Sequence, residues 1–596
     1  MVERGEAETG ALSGKLSGTT RRSFIRGIAA AGASTLTLAD VATARTAFHP
    51  RARVARGNAF SRFEAIAPSA ADAFEVPDGF RADVLISWGD TFVGEANQRL
   101  RYGFNNDFVA YFPLDGSDEG ILFVNHEYPS PFFLYGYAGR GVDKSPAQIA
   151  IEQEAVGNSL LHVRRGRRGY RVVSPSQYNR RIYGDRPRIE FTGPLEGSAP
   201  VGRSANGSLA NCSGGITPWG TAISCEENYA SYGQAVSAAD PDRYGWNSVD
   251  PEYDPVAFAK YGWVVEHDPY DPSDSGRKHT ALGRFRHENT AFRQVPGKRF
   301  VLYMGDDQNN QGVYKFVSAR SYRKGRDANN RKILEDGKLY IARWEPEGRR
   351  RFANAGDIEP LTPTEGTGRW VEVPTEDLID TAARLRARSG TAEFETHYAT
   401  NRPEDVEVAG DGSLFIALSN NTTVKDSHGS VRRLREGGGD PEATTFRWED
   451  YASGGPSGRD GDGEGGFSSP DNLAFDRAGD LWVMTDISSA RLNKDNEYRY
   501  HANNAVFHVP TSGPNAGVAF RFANMPIEAE GTGPYFSPDE RALFVNVQHP
   551  GEETPGGGGV FDSPSTYTSW WPRGDKTAGR RPSTPRPSTV VIYRER

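Results

Sequence analysis

A short apolar segment that ends in a cluster of polar residues recurs six times along this chain of 596 residues. The segments occupy residues 120–127, 220–228, 299–307, 412–421, 479–486 and 541–549. Three of them follow a companion segment and a Gly- or Pro-Asp-containing turn, as antiparallel hairpins do. The repeat predicts an all-β fold, a six-bladed β-propeller of about four strands per blade, with long loop insertions and a few short helices. A two-sheet sandwich, or several separate β domains, is the alternative.

A propeller brings residues that are distant in sequence to one place. Its strands converge on a central channel, so polar groups at equivalent strand ends meet at one mouth.

Two further segments fit this arrangement. Residues 375–389 have helical spacing, with Leu378, Ala382 and Leu385 on one side, and predict an inserted helix. Residues 588–593, near the C-terminus, predict a strand that closes the ring.

The composition narrows the class of protein. The formal net charge of −8 comes from 70 basic and 78 acidic residues. This balance disfavours a nucleic-acid-binding surface, which needs a basic face or stripe. No run is long and apolar enough for a membrane span. The sequence therefore predicts a soluble protein, which we expect to be a monomer.

The N-terminus has the pattern of an export signal. Arg21-Arg22 precede a weakly apolar stretch, Gly27 to Leu38, and Ala42-Thr43-Ala44 follow as a small-residue cleavage site. The paired arginines resemble the twin-arginine type of signal. We expect a twin-arginine signal peptide over residues 1–44, a linker or N-terminal arm over 45–72, and a single β-propeller catalytic domain over 73–596. The precursor would use the twin-arginine export machinery, and the mature protein would be periplasmic or secreted.

Residues 211–228 carry both cysteines of the chain, Cys212 and Cys225, together with Glu226 and Glu227. In an exported protein, two cysteines thirteen positions apart are favoured as a disulfide. A thiolate metal ligand is the other interpretation, because Cys212 lies in a Gly-containing loop and Cys225 directly precedes two glutamates. Successive residues of a strand face opposite sides, so we expect only one of the two glutamates to reach a given metal.

Further candidate ligands lie near the starts and ends of the other segments. Glu288 lies in a charge-dense Arg-His-Glu-Asn stretch, where a solvated loop is the alternative. Arg402 and Glu404, two positions apart, form a plausible oxyanion clamp or a simple ion pair. Asp471 and Glu530 offer hard oxygens of the kind that calcium requires, although such residues are also common in turns and caps.

Several of these motifs together resemble the PhoX-type alkaline phosphatases. The resemblance rests on the twin-arginine leader, residues 105–112, Asn125-His126-Glu127-Tyr128, the stretch from Asn211 to Asn228, and Arg402-Pro403-Glu404-Asp405. It covers nearly the whole mature chain. It implies a six-bladed propeller that holds iron (Fe³⁺), bridged by an oxo group, together with calcium, and that hydrolyses phosphomonoesters.

The resemblance also implies roles for individual residues. Cys212 would ligate iron, Glu288 and Glu404 would be metal ligands with catalytic roles, and Arg402 would hold the phosphate. The candidates for the calcium ligands are Glu127, Glu227, Asp471 and Glu530. Metals and Arg402 would neutralise the phosphate, and a metal-bound oxo or hydroxo group would attack phosphorus in line.

Two other functions remain open from the sequence. The first is a calcium-dependent propeller lactonase or phytase-like hydrolase, which would not need Cys212. The second is a non-catalytic binding propeller in which calcium has only a structural role.

Overall fold

The computed structural model describes residues 60–136, 144–233, 244–254, 258–346, 364–421, 426–455, 466–573 and 584–595. The predicted signal peptide and residues 45–59 of the predicted linker lie outside these ranges. The described residues are mostly β-structure. Among them are four short α-helices: α1 (Pro131–Tyr135), α2 (Pro146–Ala155), α3 (Thr381–Ser389) and α4 (Thr391–His397). No helix in the described ranges is long and apolar enough to cross a membrane.

The strands are short and follow one another closely. The first sixteen are β1 (Phe80–Ser87), β2 (Thr91–Val93), β3 (Arg99–Arg101), β4 (Asn106–Asp115), β5 (Glu119–His126), β6 (Gly157–Gly166), β7 (Gly169–Val172), β8 (Arg180–Ile182), β9 (Arg188–Thr192), β10 (Ser204–Asn206), β11 (Asn211–Ile216), β12 (Ala222–Glu226), β13 (Val264–His267), β14 (Arg277–His279), β15 (Ala291–Arg293) and β16 (Val301–Gly305).

The strands of the second half are β17 (Asn309–Gln311), β18 (Val313–Ser318), β19 (Gly337–Pro346), β20 (Glu365–Glu372), β21 (Thr400–Asn401), β22 (Pro403–Val408), β23 (Leu414–Leu418), β24 (Ser430–Glu436), β25 (Thr445–Ser453), β26 (Pro470–Phe475), β27 (Leu481–Thr485), β28 (Ala505–Val509), β29 (Phe520–Asn524), β30 (Glu530–Phe536), β31 (Ala542–Gln548) and β32 (Ser588–Arg594).

These strands form five larger sheets. Their strand orders are β4-β5-β6-β7 with β8 on β6, then β10-β9-β14-β13-β12-β11, then a nine-stranded sheet β15-β16-β18-β19-β20-β25-β24-β23-β22, then β26-β27-β28-β29, and finally β1-β32-β31-β30. Two small sheets, β2-β3 and β17-β21, complete the set. Neighbouring strands run antiparallel, apart from β9 and β14, which are parallel.

The recurring apolar segments of the sequence are strands, as predicted. They correspond to β5, β12, β16, β23, β27 and β31. The three predicted hairpins are the antiparallel pairs β22–β23, β26–β27 and β30–β31. Because alternation and turn chemistry are local properties, the sequence is sufficient to predict these elements.

Buried polar contacts join neighbouring sheets, and one of them joins the two edges of the nine-stranded sheet. Each contact connects one group of strands to the next, and the series returns to its start: Asn125 Nδ2 to Cys212 O (2.7 Å), Thr290 N to Gly214 O (3.0 Å), Val406 N to Asn289 Oδ1 (2.9 Å), Leu473 N to Asp405 Oδ2 (2.9 Å), Gly533 N to Asn472 Oδ1 (2.8 Å) and Thr532 Oγ1 to Asn106 O (3.3 Å).

The predicted closing strand is present as β32. It pairs with β1 on one side and with β31 on the other, both antiparallel. The last strand of the chain therefore completes a sheet that contains one of the first. The start of the described chain packs against this sheet and the β26–β29 sheet, because Phe60 and Phe63 are buried in one apolar cluster with Phe80 of β1, Phe522 of β29 and Trp482 of β27.

The helix predicted over residues 375–389 is divided into two parts. Residues Thr375–Asp380 form a 3₁₀ helix and α3 follows directly. Leu378 and Leu385 are buried in the same apolar cluster, as their spacing predicts. The change of helix type occurs at Asp380, whose φ of −144° is extended and interrupts the helical backbone.

Candidate metal centre

Three groups of candidate metal ligands lie side by side. They are Asp107 with Glu127 and Cys212, Cys212 with Glu227 and Glu288, and Glu288 with Asp307 and Glu404. In each group the ligand atoms lie within 4.8 Å of one another. Because Cys212 and Glu288 each belong to two groups, the six carboxylates and the thiol form one continuous centre. We refer to these seven residues as the metal centre.

The metal centre lines a cavity of about 230 Å³. All eight residues singled out from the sequence line it, and the structure therefore brings together side chains from residue 127 to residue 530: Glu127, Cys212, Glu227, Glu288, Arg402, Glu404, Asp471 and Glu530. The carboxylates and the thiol among them are buried, with at most 9% of the residue surface exposed.

Five of the cavity residues are preceded by the same unusual backbone conformation. In each case a residue other than glycine with a positive φ lies two positions earlier in the chain, at or just before the start of a strand. A positive φ at such residues is uncommon and occurs where the surrounding structure enforces it. The pairs are Asn105 (φ 42°) and Asp107, Ala210 (54°) and Cys212, Arg402 (40°) and Glu404, Ser469 (49°) and Asp471, and Glu528 (60°) and Glu530.

The other carboxylates of the cavity follow the ends of neighbouring strands. Glu127 follows β5, Glu227 follows β12 and Asp486 follows β27, while Asp307 lies two residues beyond β16. In an antiparallel hairpin the start of one strand and the end of the next lie at the same edge. Both sets of residues therefore reach the same mouth.

Two nearby residues have other roles. Glu226, next to Glu227, points away from the cavity and forms a buried ion pair with Lys278 (Oε1 to Nζ, 2.7 Å). Of these two glutamates, Glu227 alone lines the cavity, and its role as a metal ligand stays a prediction. His126, next to Glu127, lies 2.7 Å through Nε2 from Ser159 Oγ and does not line the cavity.

Both cysteines are free thiols, so the prediction of a disulfide between them, which is based on the expected export of the protein, is wrong. Cys225 lies in an apolar cluster with Trp219 and Ile223. Cys212 faces the metal centre, where its Sγ lies 3.5 Å from Glu288 Oε1 and 3.7 Å from Asp107 Oδ2. The two side chains thus belong to different environments, although they are close in sequence.

Burial and mutual repulsion oppose ionisation in the centre. Burial, followed by the neighbouring carboxylates, raises the pKa of Asp107, Glu227 and Glu288 well above the ordinary range. Burial raises the pKa of Glu127 to about 7. It also raises the pKa of the Cys212 thiol, and Asp107 and Glu288 add to this effect.

Asp307 differs from the other carboxylates because it has a cationic partner. Burial opposes its ionisation, but the guanidinium of Arg402 lowers its pKa below the ordinary value. Arg402 donates from Nε to Asp307 Oδ1 and from Nη2 to Asp307 Oδ2, both at 2.9 Å. Its Nη2 also lies 2.9 Å from Glu404 Oε1. The ion pair between Arg402 and Glu404, one of the two interpretations of this motif, is therefore present, and Asp307 is an additional partner.

Some carboxylate oxygens of the centre have no hydrogen-bond partner and are suitable ligands for multivalent cations. Asp107 Oδ1 and Glu227 Oε1 are buried without a hydrogen-bond partner. Carboxylate oxygens suit hard cations such as calcium, whereas a thiolate suits transition ions. A set of six buried carboxylates and one thiol, with Arg402 as the cationic partner, therefore has the chemistry of a site for several cations.

Asp107 and Asp307 were missed as ligand candidates by the sequence reasoning, although a signal for each was present. Asp107 lies in Asn105-Asn106-Asp107, at the start of a strand, as Cys212 does in Asn211-Cys212. Asp307 ends the recurring segment 299–307, in the same place as Glu127 ends 120–127. Comparison of equivalent positions across the repeats would have found both.

A family model for the alkaline phosphatase PhoX matches residues 61–551. The chain belongs to this family. It is a phosphatase, and the reaction of the PhoX family is the hydrolysis of phosphomonoesters. Among solved structures, PhoX of Pseudomonas fluorescens in complex with vanadate, a transition-state analogue, matches with a TM-score of 0.74 and 30% identity, over 89% of this chain and 98% of that chain.

More distant structures are also similar in part. A gluconolactonase from Xanthomonas campestris matches with a TM-score of 0.30 and 10% identity, over 78% of this chain and 96% of that chain. The PQQ domain of a pyranose dehydrogenase from Coprinopsis cinerea gives 0.32 and 10%, over 89% and 98%. No curated protein sequence matches the chain. At these TM-scores the two structures support no conclusion about PhoX chemistry in this chain.

Proposed function

We propose that this PhoX-family phosphatase uses iron and calcium bound at the metal centre, with Arg402 as the phosphate ligand. The observation that carries the proposal is that Cys212 and Glu288 each join two of the three ligand groups. The Cys212 thiolate is a suitable ligand for a transition ion, and the surrounding carboxylate oxygens are suitable ligands for calcium. Asp471 and Glu530, which line the same cavity, are proposed as further calcium ligands.

The protein's own residues bind and orient the phosphate. The bidentate contact with Asp307 fixes the plane of the Arg402 guanidinium at the cavity. Little side-chain entropy would therefore be lost when this group binds a phosphate oxygen. The bound cations would supply Lewis acidity and activate water. Glu288 and Glu404 hold them in place, and the buried setting strengthens every charge interaction with the substrate.

The fold that we propose for this chemistry is a six-bladed propeller over residues 73–596. The first strands β4, β11, β15, β22, β26 and β30 would each begin a blade, and the nine-stranded sheet would comprise two blades joined through β20. The circular series of inter-strand hydrogen bonds supports this count. Residues 1–44 are proposed as a twin-arginine signal and residues 45–72 as an arm. The mature enzyme would act as a periplasmic or secreted monomer.

Replacement of Cys212 tests the metal proposal. We expect Cys212→Ala to lose iron and p-nitrophenyl phosphate hydrolysis together, because the cysteine joins two ligand groups. Cys225→Ala is the matched control, since Cys225 lies in the apolar core, and it should keep both. The measurements are metal analysis of protein purified without added metal and steady-state kinetics. Full activity with a normal iron content in Cys212→Ala would refute the role of this cysteine.

A further inference from the structure

A second cluster of ligand-type side chains lies on the hairpin β26–β27, away from the metal centre. It consists of Asp476, which follows β26, Asp480, which precedes β27, and His508 of β28. The cavity residue Asp471 lies at the opposite end of β26. Five residues of strand separate the α-carbons of Asp471 and Asp476 by roughly 17 Å. The cluster is thus distinct from the metal centre.

The three side chains come together only in the folded sheet. One ligand atom from each lies within 4.8 Å of the other two. His508 pairs with Trp482 in the register of β27 and β28, which places it beside the turn that carries both aspartates. All three residues are buried, with 4%, 3% and 0% exposure for Asp476, Asp480 and His508.

Several polar atoms of the cluster have no hydrogen-bond partner. These are Asp480 Oδ2 and both ring nitrogens of His508. His508 Nε2 lies 3.3 Å from Asp480 Oδ2, but the two groups lack the alignment of a hydrogen bond. Buried polar groups are normally satisfied, so a fully buried imidazole with two unpartnered nitrogens requires an explanation.

The charge of the cluster is also unbalanced. Two carboxylates are buried together, and the ion pairs within the described ranges give neither of them a Lys or Arg partner. Among the residues that the structure describes, His508 alone forms an ion pair with either carboxylate, through Asp480. Buried charges in proteins are normally paired or bound to a metal.

The remaining oxygens of both carboxylates are held in place. The backbone N–H of Thr511 donates to Asp480 Oδ1 (3.0 Å). Both oxygens of Asp476 also accept a hydrogen bond, Oδ1 from the backbone N–H of Asp480 (3.0 Å) and Oδ2 from Trp482 Nε1 (3.2 Å). Ligating carboxylates in metal sites are fixed by hydrogen bonds of this kind. The Asp480 oxygen left unpaired is the one that lies near His508.

We propose that Asp476, Asp480 and His508 form a separate site for a divalent transition-metal ion, with Zn²⁺ as the best-suited species. Imidazole and carboxylate are common zinc donors, with metal–ligand distances of about 2.0–2.2 Å. Two ligands of a tetrahedral ion at such distances are roughly 3.3–3.5 Å apart. The separation of His508 Nε2 and Asp480 Oδ2, 3.3 Å, matches this value.

The site would have a structural role. It would join the β26–β27 turn to β28, beside the N-terminal arm, whose Phe63 ring lies 5.9 Å from the His508 ring. None of the residues of the metal centre belongs to this site, so the site is independent of the proposed iron and calcium chemistry.

The test compares His508→Gln with His501→Gln. His501 is an equally buried histidine (1% exposed) outside the cluster. The probes are Zn²⁺, measured as equivalents bound after dialysis, and Co²⁺, measured by its visible d–d absorption. We expect His508→Gln to bind one equivalent less than wild type, to lose the corresponding part of the Co²⁺ spectrum and to keep its p-nitrophenyl phosphate hydrolysis. His501→Gln should match wild type in all three.

Unchanged equivalents and an unchanged spectrum in His508→Gln would overturn the proposal and leave a buried Asp480–His508 ion pair. If His508→Gln does not fold, Asp480→Asn serves instead, because it keeps the acceptor for Thr511 N and should show the same loss. Wild-type crystals soaked in Zn²⁺ give an answer independent of any variant. An anomalous peak between Asp480 Oδ2 and His508 Nε2 is expected, and its absence would also overturn the site.

Discussion

Arg402 combines three features that bear on its proposed role. Its backbone is left-handed, with φ of 40°, and its guanidinium contacts both Asp307 and Glu404. Only 24% of its side chain is exposed. The two carboxylates balance its charge and fix its orientation. The proposed role of Arg402 as a phosphate ligand would benefit from this arrangement, because the guanidinium is oriented before it binds an anion.

Replacement of Arg402 separates its charge from its geometry. Arg402→Lys keeps a positive charge but cannot form the bidentate contact with Asp307. We expect kcat/KM to fall by roughly 100-fold or more in Arg402→Ala and by a smaller factor in Arg402→Lys. Both variants should retain iron and calcium. Steady-state kinetics with p-nitrophenyl phosphate and metal analysis check this, and a wild-type kcat/KM in Arg402→Ala would contradict the assignment.

At the scale of single elements, β22 carries acidic groups toward two cavities. Glu404 at its start lines the metal centre, whereas Glu407 near its end lines a second cavity of about 420 Å³. Much of that second cavity is apolar, with Phe108, Leu473 and Tyr535 among its lining residues. Burial there raises the pKa of Glu407 to about 8, although the backbone N–H of Val408 partly offsets the effect.

The raised pKa of Glu407 predicts a pH-dependent cost. Below the unfolded value of 4.5, the carboxyl is protonated in both states, and Glu407→Gln should have no pH-linked effect. As the pH rises toward about 8, the unfolded chain ionises first, so the wild type loses stability that the glutamine variant retains. We expect the melting temperature of Glu407→Gln relative to wild type to increase over this range and then level off.

Thermal unfolding at several pH values tests this expectation. Glu365→Gln is the matched control, because Glu365 is exposed at the start of β20. A constant difference between Glu407→Gln and wild type from pH 4 to pH 9 would show that Glu407 ionises normally.

The N-terminal arm is the second element whose packing is informative. Phe60 is fully buried, and its ring lies 5.5 Å from the rings of Phe80 and Phe536. We expect Phe60→Ala to lower the free energy of unfolding by about 3–5 kcal/mol, the usual cost of removing a buried aromatic ring. Phe258→Ala, at a residue that is 41% exposed, should have little effect. Chemical denaturation provides the measurement, and equal effects of the two substitutions would contradict the packing.

For the molecule as a whole, the sheet β1-β32-β31-β30 depends on the end of the chain. β32 lies between β1 and β31, so its removal would leave both of these strands with unpaired backbone groups, and β31 is buried along its whole length. We expect a protein truncated before Ser588 to be insoluble or unfolded, whereas removal of residue 596 alone should be tolerated. Soluble yield and far-ultraviolet circular dichroism distinguish these outcomes. A soluble, active truncated protein would show that the sheet does not need its closing strand.

Much of this organisation could be predicted from local sequence patterns. Alternation, turn residues and polar strand ends identified the six recurring strands, three hairpins and the strand β32, because each depends on residues close together in the chain. The same patterns indicated Cys212, Glu288, Arg402 and Glu404 as candidates. They did so without showing which side chains would meet.

Only the tertiary structure determined which side chains lie close together in the metal centre. It separated Glu227 from Glu226, kept Cys212 and Cys225 as free thiols, and added Asp107 and Asp307 to the metal centre. Whether such residues meet depends on how sheets hundreds of residues apart twist and pack against one another. The sequence by itself therefore determined the strands and the chemical character of their ends. The packing of the sheets around a common cavity determined which of those ends form a site.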